Sequence, residues 1–165
     1  MPRSSRLIAV LALPALAAGV IAIGSGSSSA QGPAPRTLSL TELDKGATFT
    51  HIRNTKTTSR RANSAGDVIV FTNPVADPSG KVVGKLSAAC TTTSGARDFV
   101  KSVVTCNGVL VLPDGTMTWQ ANISLDSRTT TSAVTGGTGA YANARGVVIS
   151  KQGSNGSQDT ITLAN

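Results

Sequence analysis

Between residues 116 and 125 apolar and polar side chains alternate without a miss. Met117, Trp119, Ala121, Ile123 and Leu125 fall on one side, Thr116, Thr118, Gln120, Asn122 and Ser124 on the other. A period of two points successive side chains to opposite faces of a strand, so this stretch is a strand with one buried face. A slip of one residue would expose the whole apolar set, so its neighbours must pair with it in a fixed register. The preceding apolar run, 103–112, is joined to it by Pro113-Asp114-Gly115, a turn sequence. A tight turn there sets Met117 opposite Leu110 and Trp119 opposite Gly108, so the indole meets a residue with no side chain.

A second constraint comes from the cysteines. The first thirty residues read as a secretory signal: Arg3 and Arg6, an apolar run over 7–23 broken by Pro14 and Gly19, then Ser28-Ser29-Ala30. Cleavage after Ala30 leaves about 135 residues, enough for one domain with a core. Export implies an oxidising compartment, where an even pair of cysteines, Cys90 and Cys106, is read as one disulfide. Bonded cysteines face each other across an antiparallel pair, which sets Ala88 opposite Gly108 and Leu86 opposite Leu110. One apolar face then runs through Leu86, Cys90, Cys106, Leu110, Met117, Trp119 and Ile123. Two separate arguments agree on it.

The rest of the chain follows the same pattern. Residues 31–46, with Gly32, Pro33 and Pro35, read as a flexible lead-in, and 47–165 as the folded domain. Strands are expected at 49–53, 68–73, 82–93, 103–112, 116–125, 128–134, 147–150 and 159–163, with a turn opening at Asn73-Pro74 and a flexible 152–158. No apolar stripe of helical period survives for three turns. About eight strands with no helix suit an antiparallel up-and-down barrel, whose closure removes exposed edges. An immunoglobulin-like sandwich fits less well, because the tryptophan follows both cysteines instead of lying between them.

Composition excludes several functions. The formal charge of +7 falls to +5 without Arg3 and Arg6, but the charges are scattered and aromatics make up only 3% of the chain. Nucleic-acid binding needs a basic stripe with stacking rings, so it is not expected. Lys56, Arg60 and Arg61 alone cluster, in a polar loop that could meet anionic envelope polymers. After signal cleavage no apolar run is long enough to span a membrane. One histidine, His51, cannot anchor a zinc site or a serine triad, so neither metal nor cofactor is expected. Asp77, Asp114 and Asp126 lie in turns and Asp67 at a strand entry, and no close acidic pair is visible. Asn122 and Asn155 match the glycosylation pattern, which is common by chance.

The glycine-rich stretch 133–150, AVTGGTGAYANARGVVIS, contains Gly137-Thr-Gly139-Ala-Tyr141-Ala142, which fits a dinucleotide fingerprint. That fingerprint works only where a helix follows, and here Val147-Val148-Ile149 follows. The match is therefore spurious. Its glycines suit a turn, and Tyr141 and Arg145 are the candidates for a cavity rim.

Three blocks together resemble a known barrel family. GDVIVFTNPVAD (66–77), VGKLSAAC (83–90) and VTGGTGAYANARG (134–146) resemble the allene oxide cyclase barrel, in family order, and the last also resembles the dirigent proteins. The resemblance implies an eight-stranded antiparallel, calycin-type barrel with an apolar lumen, in a family often assembled as a homotrimer. In the plant cyclase the lumen holds an unsaturated fatty-acid epoxide, a water held by asparagines, and a glutamate that balances developing positive charge. On that likeness Asn73 stands for one asparagine, Phe71 for a lining aromatic, and Cys90 for a cavity cysteine. The glutamate belongs in the first strand, where Thr50, His51, Ile52 and Arg53 offer none. A bonded Cys90 is not the free thiol of the cyclase, and the lumenal acids that dirigent activity needs have no assigned place.

The sequence thus leads to a secreted barrel binding a small apolar or phenolic ligand and steering its cyclisation or coupling. If it is an enzyme, it is an intramolecular cyclase or isomerase, with an unsaturated epoxide as the alternative substrate. The remaining alternative is a non-catalytic, envelope-associated structural barrel.

Overall fold

The computed structural model describes residues 36–54 and 63–164. The signal segment and the basic cluster Lys56, Arg60 and Arg61 lie outside the described residues. Nine strands form one sheet: β1 (Arg36–Leu43), β2 (Thr48–Ile52), β3 (Val68–Ala76), β4 (Val82–Ser94), β5 (Val103–Leu112), β6 (Gly115–Ser124), β7 (Thr129–Gly137), β8 (Arg145–Gln152) and β9 (Gly156–Ala164). From β2 to β9 each strand pairs antiparallel with the next, and β1 pairs with both β9 and β3, which closes the barrel. β1 and β2 both lie along β3, at Glu42 opposite Val75 and Thr48 opposite Thr72. They make one stave with a step at residues 44–47, so nine strands give an eight-staved barrel.

β1 corrects the expected lead-in. Leu38, Leu40 and Glu42 alternate with Thr37, Ser39 and Thr41, and Leu40 is buried. Over Arg36–Leu43 this alternation outweighs the Gly/Pro composition just upstream. β3 runs through Pro74 to Ala76 instead of turning at Asn73. Pro74 faces the step between β1 and β2, where a missing backbone donor costs little. The expected flexible 152–158 is a tight β8–β9 turn, with the Gly153 amide donating to the Gly156 carbonyl at 2.8 Å.

The central register matches the sequence reading. Cys90 faces Cys106, Ala88 faces Gly108, Leu86 faces Leu110, and Leu110 and Gly108 face Met117 and Trp119. Cys90 and Cys106 are bonded. A side chain at Gly108 would overlap the indole of Trp119, so the ring lies flat on the wall only because position 108 is glycine.

One end of the barrel is filled. Leu40, Val75, Leu112, Met117, Val134, Tyr141, Ala144, Ile161 and Leu163 pack there as one apolar cluster. The glycine-rich stretch seals this end. Its Gly139–Tyr141 turn lies on the β5–β6 hairpin, with the Ala140 amide donating to the Asp114 carbonyl at 2.8 Å. Gly139 has φ +59°, and a Cβ there would strike the Asp114 carbonyl, so a backbone-on-backbone contact fixes this glycine.

Candidate functional site

Above the filled end the barrel encloses a cavity of about 270 Å³, near the lower bound of small-molecule sites (~300 Å³). Two unlike walls line it. β3 to β6 supply Ile69, Phe71, Leu86, Val104, Leu110, Trp119 and Ile123, together with the disulfide. β1 and β7 to β9 supply Glu42, Thr130, Ser132, Ser150, Ser157 and Asp159, with Val148 beneath them. Phe49 and Phe99 stand at the mouth, edge to face with centroids 6.1 Å apart.

The polar wall holds what the sequence reading missed. Glu42 is the only glutamate in the chain. Leu40 pairs with Asp159 and Glu42 with Ser157, so the two acids are diagonal neighbours on the inner face and hydrogen-bond each other. Asn73 Nδ2 donates to Glu42 Oε2 at 3.2 Å. A glutamate thus reaches the lumen from β1, not from residues 50–53, and the close acidic pair judged absent is present. Burial first, then the charge and hydrogen bond of Asp159 and the charge of Asp44, push the Glu42 carboxyl up to about 8. Burial also raises Asp159, against hydrogen bonds from Ser150 and Glu42. Two such adjacent carboxyls favour the protonated form to higher pH than a solvated acid does, which suits a proton donor. Asp159 is 5% exposed and its Oδ1 has no hydrogen-bond partner; Trp119 Nε1 also lacks one.

The position of each expected site residue follows from its strand. Phe71 and Asn73, two apart on β3, both line the cavity. Tyr141 is buried in the filled end, with the Arg36 guanidinium 5.0 Å from its ring centroid, and does not line the cavity. Arg145 is exposed at the start of β8 and donates to the Ala144 carbonyl at 2.8 Å. Cys90 and Cys106 lie on the apolar wall. Two signals pointed to the acids. Asp159 is in phase with Ile161 and Leu163, a polar residue on an apolar face, and Glu42 continues Leu38 and Leu40.

A second polar group secures the mouth. Asp67 is fully buried and accepts from the amides of Asn54 (2.7 Å) and Ser64 (3.0 Å), with His51 Nε2 at 3.2 Å. Burial alone would raise its carboxyl, but these bonds outweigh it and hold it below the usual range. His51 in turn packs its ring against Phe99 at 5.5 Å.

A family model described as dirigent-like protein matches residues 39–164. The chain belongs to the dirigent-like family. No curated protein matches it significantly. Among solved structures it is similar to a pyocyanin demethylase, with TM-score 0.64 and 23% identity over 78% of this chain and 100% of that one. It is similar also to the Diels–Alderase AbmU from Streptomyces koyangensis, with TM-score 0.56 and 12% identity over 79% and 64%. The pterocarpan synthase dirigent protein GePTS1 matches with TM-score 0.54 and 18% identity over 79% and 84%. At these identities the likeness is one of fold. Among the described residues no helix is long and apolar enough to cross a membrane.

Proposed function

We propose that this barrel is exported, binds one small apolar or phenolic ligand in its lumen, and steers that ligand's cyclisation or coupling. The observation that carries the reading is the placement of an apolar wall opposite two adjacent carboxyls, Glu42 and Asp159, across one cavity. The apolar wall would fix the ligand's shape, and the couple would supply a proton to an oxygen or nitrogen acceptor where charge develops. The fold's likeness to a Diels–Alderase and to a pterocarpan synthase dirigent protein supports ring formation as the reaction class. An isomerase acting on an unsaturated epoxide is favoured by the same acid, since an epoxide oxygen opens on protonation. The envelope-associated reading rests on Lys56, Arg60 and Arg61.

Native mass spectrometry of the protein purified from culture medium tests the binding reading. A co-purifying small molecule, lost on unfolding, is expected. An empty barrel whose single tryptophan, Trp119, responds to no small aromatic compound contradicts it. Val109 and Val111 on β5 and Val147 and Ile149 on β8 are exposed apolar residues that self-association would cover; if the barrel is the homotrimer that the family resemblance implies, light scattering should return three times the protomer mass.

A further inference from the structure

Every ionisable side chain that lines the cavity is an acid. Glu42, Asp44 and Asp159 are there, and no lysine, arginine or histidine is among the described lining residues, in a chain whose formal charge is +7. Asp159 is nine-tenths buried and more, and its Oδ1 has no donor. An acceptor so placed is completed by a donor or a cation and repels a second carboxylate. Across the cavity Trp119 lies flat against β5 at Gly108, beside Phe71. A flat ring therefore finds a wall to stack on, and an indole attracts positive charge more strongly than any other aromatic side chain.

We propose that the lumen selects a flat aromatic ligand bearing a positive charge, fixed or gained by taking up a proton, with its ring against Trp119 and its charged atom at Glu42 and Asp159. This rests on reading the lumen as a ligand site, and it names the ligand's chemical class. A protonated ring nitrogen fits, as does an N-alkylated one. An amphiphile with a carboxylate head does not: its charge would sit among three acids with no cation to pair it.

Calorimetric titration of the mature protein with three bicyclic probes of similar size decides the matter: N-methylquinolinium, 2-naphthol and 2-naphthoate. The cation should bind about tenfold tighter than the neutral phenol, the anion weakest, and the cation should quench Trp119 emission. In Glu42→Gln/Asp159→Asn the ratio of cation to phenol affinity should fall to about one, with near-ultraviolet dichroism confirming the fold. Because the three probes are first compared on the unaltered protein, the answer does not depend on that variant folding. Equal binding of cation and phenol, or tighter binding of the anion, overturns the charge preference and leaves the lumen a ligand site. Failure of all three probes to bind overturns both readings together.

Discussion

The two walls of the lumen are made by the same device and do opposite things. On β3 to β6 alternation turns Ile69, Leu86, Leu110, Trp119 and Ile123 inward, and burying them stabilises the barrel by roughly 1.5–3 kcal/mol per large side chain. On β1, β8 and β9 the same alternation turns Glu42, Ser150, Ser157 and Asp159 inward. Burying carboxyls costs stability, and the cost appears as a proton held well above the ordinary glutamate value. The apolar wall therefore stabilises the barrel, and the polar wall carries the lumen's ionisable groups. A strand pattern fixes where side chains point without fixing which wall will be polar.

Changes to the apolar wall should act on stability. Replacing both Cys90 and Cys106 by alanine removes a link closing about 17 residues and should cost about 3 kcal/mol in urea unfolding. A loss under 1 kcal/mol would mean that packing alone holds β4 to β5. Next, Gly108→Ala should cost about 2 kcal/mol and shift Trp119 emission, because the added methyl overlaps the indole. Unchanged emission would show that the ring does not lie on this residue.

The polar wall should show itself through pH. The folded Glu42 carboxyl is raised, so between its ordinary value and about 8 the native state binds more protons than the unfolded state. Stability should therefore fall as pH rises through that window, with a slope of up to about 1.4 kcal/mol per pH unit, and Glu42→Gln should flatten the slope. Asp67 is lowered and acts on the other side, its stabilisation being lost only as acid protonates it. The smallest effect belongs to Arg145→Ala, outside both walls: a change within about 0.5 kcal/mol and no change in ligand affinity. A clear loss of affinity there would extend the site beyond the cavity.

The apolar wall was legible because two independent constraints, the cysteine pair and the unbroken alternation over 116–125, converge on one register. The blocks around Phe71, Asn73 and the glycine stretch were enough to indicate the barrel family. The polar wall was harder to read. β1 follows a Gly/Pro-containing segment whose composition masks the short Leu38, Leu40, Glu42 pattern, so the only glutamate was assigned to a lead-in. Asp159 lies 117 positions after Glu42 in the numbering, and only closure of the barrel between β1 and β9 brings the two together. Tyr141 and Arg145 lie away from the cavity for the converse reason: the glycines of their loop allow two turns to touch at the filled end.

Because Glu42 is the only glutamate, one carbon signal reports on the polar wall without interference. Titration of protein labelled at the glutamate side-chain carboxyl, followed by carbon nuclear magnetic resonance, should give a midpoint near the value of about 8 set by burial and Asp159. A midpoint at the ordinary glutamate value of 4.5 would mean a solvated carboxylate, and the proton-holding couple on which the functional reading stands would not exist.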